Sequence, residues 1–539
     1  MPLRLRAVYD IIIITLNKKN VNNIRKGVEI VLKYGKYRDK VEGCWLGKNI
    51  GGTFGAPTEG KSCMEFEKFY DFYLQDLNGE PIPNDDLDLQ LVWLNAVEKY
   101  NGKINSGILG DYWLSYITPN PEEYGCCKAN LERGLIPPLT GWVNNMYRNS
   151  CGAFIRSEIW ACLAPGHPEI AVKYAVMDAE VDHAEEGIYA EVFCAAMESA
   201  AFVEDDINKI LDIGLSYVPQ NCGIRRAVES VRKSYREKLT WKEAFFELMW
   251  VEPSSFSGRK GWTDTKGNKI EAREVGYSAS GNVGIALIGL IYGEGDFDKS
   301  LAYAMNCGED TDCTVATIGA MFGVIYGKER IPKKWIAPIG TKISTCCIND
   351  ADWTIHIPKD IDELTDRVCR ASTYVLGPKY CNILSEGSIE YYESENLYYS
   401  DDKKMCERGI YDARERSPFK VEYNFEMMDV IFDYCEAPFF ENNSTKIFKL
   451  KFRCTRGRQM WVDLKLYHDE CVSTPQGDVS GTFMQQFYHA MTETEIEINI
   501  GECNKSKLDM VLELSIPGRG EKNYIPITLL RNNVKDVFR

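Results

Sequence analysis

The spacing of apolar residues changes once along this chain, and that change limits the fold more than any other feature. From Tyr37 to about Leu376 apolar side chains recur at every third and fourth position, the spacing of one face of a helix. Leu87, Leu91, Leu94 and Val97 make one such face. Helices are expected over 37–45, 87–100, 170–181, 188–203, 283–292, 299–305 and 315–326. After about Cys381 the period becomes two, with strands expected over 419–425, 446–453, 460–467, 493–500 and 508–516. Short alternating strands separated by turn residues predict a β-sandwich. The 539 residues exceed one ordinary core. The expected fold is therefore multidomain α+β. It divides into an N-terminal extension (1–36), an all-α domain (37–381), a charged, tyrosine-rich connector (382–416) and a β-sandwich domain (417–539).

Bulk charge narrows the partners. With 63 basic and 79 acidic residues the formal charge is −16, which disfavours a nucleic-acid backbone as partner. The 19 cysteines are scattered, none in a C-x-x-C pair, and Cys126-Cys127 and Cys346-Cys347 are adjacent. This argues against structural zinc and a disulfide framework, and for reduced thiols in a cytoplasmic compartment. The apolar run from Ala7 to Leu16 is too short to span a bilayer. Asp10 interrupts it and no small-residue cleavage site follows, so neither a membrane partner nor a signal peptide is expected.

Two acidic clusters carry the chemistry. Asn84-Asp85-Asp86-Leu87-Asp88 and Asp310-Thr311-Asp312-Cys313-Thr314 each open an apolar or small-residue helix. Either alone reads as a helix start, because Asn and Asp cap helices and acids suit the positive end of the dipole. Together they offer four aspartates, Asp85, Asp86, Asp310 and Asp312, as oxygen ligands for hard divalent cations. A third element, Gly43 to Gly60, contains six glycines and Glu59. It reads as a loop whose backbone approaches a ligand closely, fed by the helix ending near Trp45. It lacks the Lys-Ser/Thr ending of a P-loop.

These elements, in this order, resemble the ADP-ribosylglycohydrolase family. The matching residues are Gly55-Ala56-Pro57-Thr58-Glu59, Asn84-Asp85-Asp86 and Gly308-Glu309-Asp310-Thr311-Asp312, with a weaker match at Gly152-Ala153-Phe154-Ile155-Arg156 and Asp182-His183. The resemblance covers about residues 37 to 330. It implies an all-α fold with two Mg²⁺ ions, Mn²⁺ being possible, and removal of ADP-ribose from a modified side chain or small molecule. It implies Asn84, Asp85, Asp86, Asp310 and Asp312 as metal ligands and Glu59 and Asp312 as catalytic. It also implies Gly152, Ala153 and His183 as substrate-binding. Two positions depart from the family pattern. Asn84 and Cys313 stand where threonines are usual, and a thiol is a poor Mg²⁺ ligand. The departures motivate two alternatives: hydrolysis of another ribosyl compound such as a nucleoside or nucleotide, or an ADP-ribose-binding protein without activity. The β domain is expected to bind a carbohydrate or a protein.

Other residues read more plainly. His167 is expected in a loop before a helix, and His356, His468 and His489 have no evident partners. Asp88 reads as an acid satisfying the helix dipole, and Cys313 as a buried, inert thiol. Trp262 and Tyr277 either shape a cleft by stacking or pack in the core.

Overall fold

The computed structural model describes residues 30–254, 261–271, 277–349, 355–384, 389–392, 394, 396–400, 412–485 and 491–532. The apolar run 7–16 and His489 lie outside the described residues. Up to Tyr380 the described chain is predominantly helical; beyond it, strands dominate. No helix among the described residues is long and apolar enough to cross a membrane.

Six helices frame the site: α1 (Tyr34–Gly55), α2 (Asp85–Lys99), α3 (Glu122–Glu132), α4 (Pro168–Asp182), α5 (Ala279–Gly293) and α6 (Thr311–Tyr326). They pack around one apolar core in which Trp45, Trp93, Trp113 and Trp160 are fully buried.

The structure corrects the reading of the glycine-rich element. It is not a loop but the C-terminal half of α1, which runs unbroken to Gly55. Gly43, Gly47, Gly51 and Gly55 are four residues apart and so share one helix face. That face lies against α6 with backbone on backbone. A Cβ added at Gly47 would lie 1.9 Å from the Gly319 carbonyl oxygen. At Gly51 it would meet Val315 O at 2.2 Å, and at Gly55 Thr311 O at 2.2 Å. Gly323 answers from α6, where a Cβ would lie 2.1 Å from Gly43. Glycine in a helix costs about 0.5–1 kcal/mol against alanine. The close packing of α1 on α6 offsets that cost, so the ligand these glycines approach is another helix.

Short strands complete the helical part. β1 (Ile30–Lys33) precedes α1, β2 (Lys61–Ser62) follows Glu59, and β3 (Gly261–Thr263) pairs with β4 (Lys269–Glu271). β5 (Gly308–Glu309) pairs with β2, and Gly60 N–H donates to Glu309 O at 2.9 Å. β6 (Cys381–Ile383) and β7 (Ile389–Tyr392) join β1 in a three-stranded sheet. His167, buried at the start of α4, reaches the Tyr392 carbonyl at 2.6 Å, so the stretch after α-helical residue Tyr380 is fastened to the helical part.

The C-terminal region holds two five-stranded sheets. One orders β10 (Phe439–Phe440), β17 (Lys522–Arg531), β16 (Lys507–Ser515), β12 (Met460–Tyr467) and β14 (Val479–Met484). The other orders β13 (Val472–Ser473), β15 (Thr492–Ile500), β11 (Ser444–Cys454), β9 (Met428–Asp433) and β8 (Lys420–Asn424). All pairs are antiparallel except β10 with β17. Alternate residues of β12 and β15 are buried, so each sheet has one apolar face, and both faces feed a single core. Leu135, Leu139 and Val143, from the helical part of the chain, belong to that same core. Trp142 packs edge-on against Phe419 with ring centroids 5.0 Å apart, and buried Arg416 pairs with buried Glu180 of α4 through a 2.8 Å hydrogen bond.

Candidate active site

The N-termini of α2 and α6 meet beside the end of α1. Asn84 caps α2 by accepting from Asp86 N–H at 2.7 Å, and its amide nitrogen donates to Asp312 Oδ2 at 3.1 Å. Gly52 makes room for this, since a Cβ there would lie 2.9 Å from the Asn84 amide. Thr311 holds α6 to α1 through a 2.8 Å bond to Gly55 O. The pairing of β2 with β5 brings Glu59 to the same place.

Glu59, Asp310 and Asp312 each offer a carboxylate oxygen within 4.8 Å of the others. Glu59 is exposed; Asp310 and Asp312 are buried. Asp310 Oδ1 and Asp312 Oδ1 are buried without a hydrogen-bond partner among the described residues. Desolvation pushes all three carboxyls up, with Asp85 adding to the effect on Glu59 and Asp310 to that on Asp312. Tyr277 donates to Glu59 Oε1 at 3.3 Å. Trp262, by contrast, is a core residue: buried, bonded to Ser254 O at 2.9 Å and packed on Phe245. The all-oxygen set of Glu59, Asp310 and Asp312 fits a hard divalent cation.

The other side of the cleft differs. Asp86 is ion-paired through Oδ2 with Lys48 Nζ at 3.0 Å and accepts at Oδ1 from the Cys313 thiol at 3.3 Å. Burial pushes the Cys313 thiol well up, so it stays protonated, in line with an inert cysteine. Cys151 donates its thiol to Asp310 Oδ2 at 2.7 Å. Asp85 accepts from Tyr124 of α3 at 2.9 Å. Lys48 is itself buried, bound to Glu158 at 2.9 Å and to Ile155 O at 2.6 Å. Burial works against its charge, but Asp86 and Glu158 more than compensate and hold the ammonium above the ordinary lysine range. Gln90 locks Glu158 from α2 at 2.8 Å.

Asp88 does more than satisfy the helix dipole. It is buried, and its Oδ2 accepts the backbone N–H groups of Cys346 and Cys347, each at 2.7 Å.

Gly152 and Ala153 lie beside this cleft, one and two residues after Cys151, and both are buried. A Cβ at Gly152 would lie 2.1 Å from Glu123 Oε1 and 3.4 Å from the His183 ring. His183 is fully buried behind Gly152, with Nδ1 2.9 Å from Asp182 and Nε2 3.1 Å from Ser150 Oγ. Arg156 binds Gly152 O at 2.7 Å and also reaches Asp178 and Asp182, fixing the Gly-Ala turn against α4. Sequence reasoning missed Lys48, Cys151, Tyr124 and Glu158. For Lys48 a signal existed: it is the single charge in the glycine-rich stretch Gly43–Gly55.

No curated protein matches the chain. Among solved structures it is similar to an ADP-ribosylglycohydrolase-related protein complex, at 17% identity over 63% of this chain and 98% of that one, TM-score 0.40. It is also similar to a FixG-related protein from Vibrio parahaemolyticus (10% identity, 20% of this chain, 94% of that one, TM-score 0.15). A third is the GAE domain of GGA2p from Saccharomyces cerevisiae (14% identity, 20% of this chain, 96% of that one, TM-score 0.14). A family model for ADP-ribosylglycohydrolases matches residues 34–373. That segment starts with the first residue of α1, takes in both acidic clusters and spans well over half of the sequence, so the chain belongs to the ADP-ribosylglycohydrolase family.

Proposed function

We propose that this protein hydrolyses a glycosidic bond to ADP-ribose, releasing ADP-ribose from a modified side chain or a small molecule. The observation that carries the reading is the convergence of Glu59, Asp310 and Asp312, with two buried carboxylate oxygens lacking a protein partner. Cleavage at an anomeric carbon passes through an oxocarbenium-like state. A divalent ion, Mg²⁺ or Mn²⁺, held by these acids would orient ribose hydroxyls and lower the pKa of a bound water.

The chain's own residues do the rest. Glu59 faces solvent; one of its carboxylate oxygens would hold the ion and the other would take the proton of the attacking water. The Tyr277 hydroxyl orients Glu59 from one side. Asp312, steadied by the Asn84 amide, holds its second oxygen toward the cleft. The buried turn at Gly152 and Ala153, backed by His183 and Arg156, is assigned to the diphosphate or distal ribose.

A mass-spectrometric screen with ADP-ribosyl-arginine, ADP-ribosyl-serine, NAD and nucleosides, under Mg²⁺, Mn²⁺ or EDTA, tests this. Cation-dependent release of ADP-ribose is expected. Asp310→Asn should lower kcat/KM at least about 100-fold, the scale of losing one preorganised electrostatic group. Release of a base or free ribose from a nucleoside would instead favour another ribosyl substrate. Binding of ADP-ribose without turnover under any cation would leave a binding protein.

A further inference from the structure

Two divalent ions are what the resemblance implies for this cleft, and the two halves of the cleft do not fit that number equally. On the side of Glu59, Asp310 and Asp312, the three donors that approach one another are oxygens, the Cys151 thiol sits on Asp310 Oδ2, and Asp310 Oδ1 and Asp312 Oδ1 are buried without a hydrogen-bond partner among the described residues. On the side of Asp86, the donors that approach one another are Asp86, Asp312 and the Cys313 sulfur. Sulfur is a soft, poor ligand for a hard cation. Asp86 Oδ1 accepts from the Cys313 thiol at 3.3 Å, and Oδ2, which like the Asp310 and Asp312 oxygens has no hydrogen-bond partner among the described residues, is ion-paired with the Lys48 ammonium at 3.0 Å.

Lys48 is built into this position. It is buried, and its Nζ has three oxygen partners: Asp86 Oδ2, Glu158 Oε1 at 2.9 Å and Ile155 O at 2.6 Å. The contacts to Ile155 O and Glu158 Oε1 are hydrogen bonds, and the one to Asp86 Oδ2 is an ion pair. Glu158 is fixed in turn by Gln90 Nε2 at 2.8 Å, and Gln90 Oε1 accepts from Ile159 N–H at 2.8 Å. Gly52, four residues on and on the same face of α1, admits the Asn84 side chain. One face of α1 thus delivers a cation and a gap to the start of α2.

We propose that the Lys48 ammonium stands in place of a second divalent ion at Asp86, so that this chain uses a single ion, held by Glu59, Asp310 and Asp312. The inference rests on reading the cleft as a cation-dependent hydrolase site. It makes Lys48 a positioning residue. The ammonium neutralises Asp86 and keeps the first acidic cluster close to the second without an ion between them.

The experiment counts Mn²⁺ bound to the full chain, by titration with Mn²⁺ alone and detection of the free ion by electron paramagnetic resonance. One ion per chain is expected, with affinity weakened more than about 100-fold in Asp310→Asn, beyond what an outer-shell change causes. Lys48→Met should bind two ions, and its melting temperature should rise more with added Mn²⁺ than that of the wild type. If Lys48→Met does not fold, the wild-type count still decides. Two ions on the wild-type chain would overturn the proposal while leaving the cation-dependent reading intact. A second ion gained by Cys313→Thr with Lys48 in place would overturn it too, because the thiol would then set the number. No bound ion at millimolar Mn²⁺ would overturn both this proposal and the reading beneath it.

Discussion

The helical seam between α1 and α6 and the core between the two C-terminal sheets bury their residues in opposite ways. In the seam, backbone meets backbone, and an added Cβ at Gly47 would lie 1.9 Å from a carbonyl oxygen. In the sheets, side chains such as Leu450, Leu464, Leu512 and Ile527 fill the shared core. A side-chain core shares a change in volume among many flexible neighbours. A backbone seam has none to move, so it is a precise way to hold two acidic clusters together and an unforgiving one.

Gly47→Val should break the seam. Expected is a loss beyond about 5 kcal/mol, seen as failure to yield a cooperative urea transition, since backbone overlap exceeds ordinary overpacking. A folded variant losing under about 1 kcal/mol would show that the seam has slack and the contrast is false. Leu512→Ala empties one fully buried position of the sheet core. Its loss should fall at about 2–5 kcal/mol by the same urea measurement, with a cooperative transition kept.

The third prediction probes the helical part by pH. Burial pushes Glu123 up to about 7 from an ordinary value near 4.5, the His183 ring opposing. The native state therefore holds a proton that the unfolded chain releases at lower pH. Stability from this group is full below about pH 4.5 and is lost as pH rises through about 7, by something on the order of 1–3 kcal/mol. Glu123→Gln should flatten the urea midpoint across that window; an unchanged slope would place the titration elsewhere. The smallest effect belongs to the outer face of the sheets. Lys449 lies directly opposite Glu495, paired at 3.3 Å and solvent-exposed. Lys449→Ala should leave the urea midpoint within experimental scatter, as exposed pairs contribute little.

How much of this was legible follows from what each interaction leaves in the sequence. Period two marked β12 to the residue, because its buried and exposed positions alternate along Met460–Tyr467. β17 escaped because Pro526 interrupts it. Its partner β10 reaches only Leu530 and Arg531, so at Pro526 that edge of the strand is open and the missing N–H is tolerated. Acids open many helices of this chain, so the aspartates and Glu59 were legible only through the specific order of their motifs. The glycines of α1 were legible as special but not as helical, since local propensity speaks against helix and only the distant partner α6 reverses it. Lys48, Cys151 and Glu158 were not read as one site because their spacing along the chain carries no period. They meet only once α1, α2 and the Cys151–Glu158 stretch are stacked.

Leu135, Leu139 and Val143 complete the core of the sheets although they precede those sheets by almost three hundred residues. The sheet region is thus a socket with its plug supplied by another part of the chain. A shortened product ending near Tyr380 would leave that plug facing water, and the sheets made alone would carry an open slot of the same shape. The family segment ends at residue 373, before the sheets begin, so a truncation drawn at the family boundary would cut through a shared interior rather than between two modules.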